Sequence, residues 1–199
     1  MSNDNPAQAF SLIAQERTSG LPENKIKNLY ITDERTGAGE ENLVQISTAQ
    51  LFSRAKISLP EALGRALETS FMAGLAGEQE NRAVPFLILK VSGHDSGLAG
   101  MLAWESALPR FFDSFFGMAL EPTNDPRGAQ KFRDAIVANR DVRILERAGG
   151  AIVYAFANET TVVIAGSRHA LELLLPLAQN ITGSNVSSSV HSVARVPLR

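Results

Sequence analysis

The chain of 199 residues contains no cysteine. Without a thiol it can form no disulfide, no thiolate zinc or iron–sulfur site and no cysteine nucleophile. An excess of one charge is missing too, because 19 Lys and Arg residues face 21 Asp and Glu residues, for a net charge of −2. A chain this close to neutral is not drawn to nucleic acid by bulk electrostatics. We therefore expect no nucleic-acid partner.

Long hydrophobic runs are also absent. No stretch of about 18 apolar residues occurs, so the sequence predicts no transmembrane helix. The first ten residues lack the basic and apolar regions of a signal peptide. With 44% hydrophobic and 20% charged residues, the composition is that of an ordinary globular protein. A chain of this length can bury a sizeable core as one domain.

The most informative stretch begins at residues 84–91, where seven of eight residues are apolar or proline. This pattern predicts a strand that is buried on both faces. A helix is predicted next, with Asp95 or Ser96 as its N-cap. The residues of its apolar stripe are Leu98, Met101, Leu102 and Leu108.

Pro109 predicts a break between Leu108 and Arg110, because its ring crowds the preceding turn and it lacks an N–H donor. A second short helix should follow and end at Gly117. This region carries a broad aromatic face, which is typical of core packing but also of a partner or ligand surface. The candidate interaction surface consists of Trp104, Phe111, Phe112, Phe115 and Phe116.

The rest of the chain alternates between short strands and helices. In the first half, the patterns predict a helix over 6–17, a hairpin of 26–32 and 43–47, and a helix from a Ser58–Glu61 capping box to Leu75. In the second half, they predict a helix over 129–139, three meander strands (142–147, 151–157 and 160–165) and a helix capped by Ser167. The fold class is therefore α+β, with a mixed, mainly antiparallel sheet of four or more strands covered by helices and an N-terminal hairpin.

Composition also suggests domain boundaries. Residues 1–24 form an N-terminal helix and linker, since Gly20 and Pro22 punctuate the end of this segment. Residues 25–179 form a single α+β domain. Residues 180–199 form a serine-rich tail without acidic residues. It is predicted to be extended or mobile, with docking of Val190, Val193 and Val196 on the domain as the alternative.

Candidate catalytic groups are few. His94, Asp95 and Ser96 are adjacent at a strand-to-helix turn, but a catalytic triad needs groups that converge from different directions, so a capped turn is the better interpretation. Glu105 could act as a general acid on an apolar helix, although an ion pair with Arg110 or Arg143 is favoured. The three histidines lack metal-ligand spacing, and no phosphate loop is present. No catalytic, metal or cofactor site is therefore predicted.

Four segments resemble a known group of proteins: residues 59–75, 86–105, 132–145 and 154–164. They are similar to the soluble region of uncharacterised membrane-anchored proteins from small-genome bacteria of uncultured lineages. The shared pattern includes an Ala-Gly-Met-Leu-x-Trp-Glu helix and a Phe-Arg-Asp-x-x-x-x-Asn-x-Asp-x-Arg segment, and it departs after Glu105. The resemblance implies a membrane anchor upstream, an envelope location and no assigned activity or site residue.

The leading hypothesis is a non-catalytic, extracytoplasmic or envelope-associated domain that acts through contact with another protein. One alternative is a hydrolase-type enzyme that uses the turn from His94 to Ser96 or Glu105. Another is a small-ligand-binding module that uses residues 111–116. The sequence leaves the partner and the oligomeric state open.

Overall fold

A computed structural model describes residues 6–35, 42–118, 131–147, 149–179 and 193–198. Two N-terminal strands and a helical segment precede the central strands, and a meander and a last helix follow. The elements are α1 (Pro6–Thr18), β1 (Ile26–Arg35), β2 (Asn42–Gln45), α2 (Thr48–Arg54), α3 (Glu61–Ala66), β3 (Leu67–Gly77), β4 (Ala83–Val91), α4 (His94–Trp104), α5 (Leu108–Phe116), β5 (Arg133–Val137), β6 (Arg140–Arg147), β7 (Gly150–Asn158), β8 (Thr161–Ala165), α6 (Arg168–Gln179) and β9 (Val193–Leu198).

The nine strands form one sheet in the order β2-β1-β3-β4-β8-β7-β6-β5, with β9 paired to β1. The β1–β9 pair is parallel, and the other strand pairs are antiparallel. The predicted α+β class, mainly antiparallel sheet and N-terminal hairpin are therefore confirmed.

Helices cover both faces of this sheet, and each face has its own hydrophobic core. Residues of α1 to α5 pack on one face, where Ile13 of α1 is fully buried. Arg17 fixes the end of α1 by donating hydrogen bonds to the carbonyls of Phe116 (3.1 Å) and Gly117 (2.8 Å). Helix α6 covers the opposite face, and Ser167 caps it as predicted by accepting from the Ala170 N–H.

The predicted long helix from Ser58 to Leu75 is wrong. Helix α3 is only six residues long, its N-cap is Pro60 without a side-chain hydrogen bond, and the chain then enters strand β3. The apolar run over 71–77 satisfies a helical spacing but also suits a strand buried on both faces. Pairing with β1 and β4 decides the outcome, and Gly74 makes room there for the Phe86 ring, which lies 2.5 Å from where a Cβ would be.

The predicted helix over 129–139 is also wrong in its described part, since residues 133–137 form strand β5. Ala138 and Asn139 both have positive φ angles, of 49° and 58°. Two such residues form the tight turn that matches strand twist in a hairpin, so they return the chain directly into β6. The meander therefore has four strands, β5 to β8, rather than three.

The helical segment after β4 differs in detail from the sequence prediction. Neither Asp95 nor Ser96 caps α4: its N-cap is Gly93, and the Ser96 hydroxyl donates to the Gly93 carbonyl. The break falls before Leu108 rather than after it, so that Pro109 lies in the first turn of α5, where its missing N–H is not needed. The predicted stop at Gly117 is confirmed by its left-handed φ of 63°.

Candidate functional site

The five aromatic residues chosen from the sequence lie inside the protein. Each has 0% of its surface exposed, and all belong to the core beneath α1 to α5. The Phe111 and Phe115 rings are stacked at 5.2 Å, and the Trp104 ring meets Phe52 edge to face at 5.4 Å. In this structure Trp104, Phe111, Phe112, Phe115 and Phe116 thus act as packing residues of the core.

The turn before α4 does not assemble a catalytic triad. His94 Nδ1 lies 3.3 Å from Asp95 Oδ1, and both side chains are largely exposed. The Ser96 hydroxyl is directed to the Gly93 carbonyl rather than to the imidazole. The His94 ring instead packs on Phe156 of β7, with ring centroids 4.5 Å apart.

Glu105 does converge with other reactive side chains, just after the end of α4. Its Oε1 accepts hydrogen bonds from Arg143 Nε and the Tyr154 hydroxyl, both at 2.8 Å, and its Oε2 accepts from Arg143 Nη2 at 3.0 Å. Arg143 Nη1 also donates to Asp134 Oδ1 at 2.9 Å. We call Glu105, Asp134, Arg143 and Tyr154 the Glu105 cluster.

Two members of the Glu105 cluster, Arg143 and Tyr154, have raised pKa values. The hydrogen bonds to Glu105 raise the pKa of Arg143, and burial lowers it less. Burial first, and then the hydrogen bond to Glu105, raise the pKa of Tyr154 well above that of an ordinary phenol. Arg143 therefore stays charged and Tyr154 neutral. Both oxygens of Glu105 are occupied by these bonds, which join the end of α4 to strands β6 and β7.

A cleft of about 530 Å³ lies beside this cluster, between α4 and strands β5 to β7, and we call it the α4–meander cleft. Its wall combines apolar, aromatic and charged side chains. The Arg140 guanidinium is anchored by bonds of 3.3 Å to the carbonyls of Phe156 and Ala157. Lining residues include His94, Leu98, Arg140, Asp141, Tyr154 and Phe156.

Two exposed apolar side chains lie near the α4–meander cleft, one on α4 and one on β5. Leu102 lies one turn after Leu98 on α4 and is 44% exposed. Ile136 of β5 is 70% exposed and pairs directly with Asp141, which lines the cleft. We call Leu102 and Ile136 the apolar rim of the cleft.

A second cleft, of about 810 Å³, lies at the N-terminal end of α6 and is more strongly charged. Two of its carboxylates are paired: Glu78 accepts from Arg82 and from the Ser167 hydroxyl, and Glu146 accepts from Arg133 and Arg168. The bonds from Arg133 and then Arg168 lower the pKa of Glu146. This cleft carries both signs of charge.

Two kinds of feature are absent from the described residues. Among them, no group of three or more His, Asp or Glu side chains is placed to hold a metal ion. No helix within the described ranges is long and apolar enough to cross a membrane.

Sequence reasoning found part of this site. Arg143 was one of two partners expected for Glu105, and the structure selects it over Arg110. Tyr154 and Ile136 were missed. The signal for Ile136 was the hairpin turn at Ala138-Asn139, because a strand before that turn would place Asp134 and Ile136 on one face.

Comparisons of the chain with protein-family models, curated proteins and solved structures give no match. Its function is therefore inferred from its own geometry.

Proposed function

We propose that this protein is a non-catalytic domain of the cell envelope, extracytoplasmic or envelope-associated, that acts through contact with another protein. The α4–meander cleft and its apolar rim are the proposed contact surface. The observation that carries the proposal is the exposure of Leu102 and Ile136 near a cleft beside which Arg143 is already paired with Glu105 and Asp134.

A contact surface accounts for this arrangement better than a reaction centre does. Catalysis requires a group that is free to give or take a proton or to attack the substrate. Glu105 and Tyr154 are instead bonded to each other, and Arg143 holds both Glu105 oxygens. The envelope location is supported by the sequence resemblance described above.

Photo-crosslinking in intact cells of the source organism tests both the contact and its location. A benzophenone amino acid is introduced at Leu102, at Ile136 and, as a matched control, at Leu177. Leu177 is 45% exposed, close to the 44% of Leu102, but it lies on α6, which covers the opposite face of the sheet.

We expect positions 102 and 136 to crosslink the same envelope protein, and position 177 not to do so. Crosslinks from position 177 alone, or equal and diverse crosslinks from all three positions, would contradict the proposed surface. A shared partner found only in the cytoplasmic fraction would support the contact surface but contradict the envelope location.

A further inference from the structure

Strand β5 lies at one end of the sheet. It pairs with β6 through residues 133–137, and no described strand pairs with its other edge. An edge strand offers unpaired N–H and C=O groups, onto which an extended peptide can add as a further strand.

The hairpin turn determines which backbone groups this edge offers. In a two-residue turn with positive φ at both positions, the closing residue pair, here Val137 and Arg140, exchanges hydrogen bonds. Such pairs alternate along an antiparallel ladder, so Ala135 and Arg133 also bond to β6. The N–H and C=O groups of Asp134 and Ile136 therefore point away from the sheet.

The side chains of the same two residues lie on one face of the sheet, and Asp134 lines the α4–meander cleft. Asp134 reaches Arg143 there, yet 90% of its side chain remains exposed. Ile136 lies two residues further along the strand, on the same face, and is 70% exposed. This short edge thus presents the outward N–H and C=O groups of two residues, together with one exposed carboxylate and one exposed aliphatic side chain.

We propose that the partner adds a strand to β5. Its occupant is an extended segment of another protein, with Lys or Arg opposite Asp134 and an aliphatic residue opposite Ile136. The inference rests on the proposed function and names its mode of contact. Opposite charges and aliphatic pairs directly across two strands stabilise a sheet, whereas like charges disfavour it, so this edge selects its ligand.

A second copy of the chain fits this edge poorly. Two-fold pairing of β5 with itself, centred on Asp134, Ala135 or Ile136, would place Asp134 opposite Asp134, Ile136 or Ala138, respectively. None of these registers supplies a cation for the carboxylate, and the first opposes two carboxylates. Charge complementarity therefore favours a different protein.

Amide NMR of the purified protein provides the test. In the free protein we expect the Asp134 and Ile136 amides to exchange with solvent much faster than those of Ala135 and Val137. A synthetic peptide with the core Thr-Val-Thr-Lys-Thr should then shift and protect the Asp134 and Ile136 amides. A peptide with Glu in place of Lys should bind about fivefold more weakly.

Two variants separate strand addition from other binding. Ile136→Pro removes an outward N–H and should abolish peptide binding while β5 stays paired with β6, whereas Ile136→Val should bind normally. Asp134→Lys should reverse the preference, so that the Glu peptide binds more tightly than the Lys peptide. This charge exchange keeps the test decisive if the proline variant does not fold.

Slow exchange of the Asp134 and Ile136 amides in the free protein would overturn the proposal, because the edge would then already be covered. Absence of peptide binding, or binding that survives Ile136→Pro in a folded variant, would also overturn it. A natural partner that crosslinks to position 102 and still binds the folded Ile136→Pro variant would overturn strand addition but retain the proposed function.

Discussion

Arg143 holds the Glu105 carboxylate with two nearly parallel hydrogen bonds, from Nε to Oε1 at 2.8 Å and from Nη2 to Oε2 at 3.0 Å. Glu105 follows the last residue of α4, and Arg143 lies in the middle of β6. Their side chains are only 16% and 23% exposed, respectively. This pair therefore links the helical layer to the meander through paired charge-assisted hydrogen bonds, which are stronger than neutral ones.

Glu105→Gln should lower the free energy of unfolding by about 2 kcal/mol, because it leaves the half-buried Arg143 without its main counter-charge. Urea denaturation measures the loss. Glu61→Gln is the matched control: it breaks an ion pair with Arg65 whose side chains are 81% and 74% exposed, and should cost less than about 0.5 kcal/mol. Equal losses in the two variants would show that the Glu105 pair adds no special stability.

The hydroxyl of Tyr154 predicts how stability depends on alkaline pH. Its pKa is raised in the folded protein, whereas in the unfolded chain the phenol titrates near its ordinary value of 10.0. Above that pH the folded state holds more protons than the unfolded state, so the free energy of unfolding should fall as the pH rises. Tyr154→Phe should remove this part of the decline in urea titrations between about pH 9 and about pH 11.

Tyr30→Phe serves as the control for that experiment, since it leaves the Glu105 cluster intact. It should retain the decline of the unmodified protein. If Tyr154→Phe retains the same decline, another group is responsible for it.

Two helical glycines should respond oppositely to alanine. A Cβ on Gly100 of α4 would lie 2.6 Å from the Leu63 Cα in α3, whereas nothing lies within 4 Å of a Cβ on Gly64. Gly100→Ala should force the two helices apart and cost roughly 1–3 kcal/mol. Gly64→Ala should stabilise the protein by up to about 1 kcal/mol. Thermal unfolding of both variants checks the signs, and a neutral Gly100→Ala would contradict the close approach.

The aromatic segment should behave as core. Phe112→Ala should lower the free energy of unfolding by about 3–5 kcal/mol, because it leaves a cavity among rings that pack on one another. Leu102→Ala, on the exposed side of α4, should cost less than about 1 kcal/mol. A stable Phe112→Ala protein would reopen the aromatic face as an interaction surface.

The sequence predicted those elements whose local pattern has one solution. Strand β4 and strands β6 to β8 are short apolar runs bounded by turn residues, and they were found. Helix α6 was found from its cap and its apolar stripe. In each case local preference and final packing agree.

Prediction failed where one pattern suits two structures. Residues 71–77 are apolar and small enough for either a helix or a buried strand, and only pairing with β1 and β4 distinguishes them. The pattern at Ser58 predicts a capping box. The capping box in the structure is instead formed by Ser47 and Gln50, at the start of helix α2, which the sequence patterns did not predict. A motif of two polar residues is too short to locate a helix start by itself.

The site was harder to predict than the fold because it depends on register. Glu105 and Arg143 could be matched by charge, but Tyr154 joins them only because β6 and β7 pair Arg143 with Tyr154. Ile136 becomes exposed only because β5 is a strand at the end of the sheet. Neither relationship is encoded in the spacing of neighbouring residues.

The parallel pairing of β1 with β9 affects how the protein is made. Asn28 pairs with Val193, so almost the whole domain must leave the ribosome before β1 receives this neighbour. Contacts between such distant residues form late and slowly. Until then one edge of β1 stays open beside the nascent chain, in a state prone to mispairing. We therefore expect chaperones to protect this edge of β1 until residues 193–198 have emerged and paired with it.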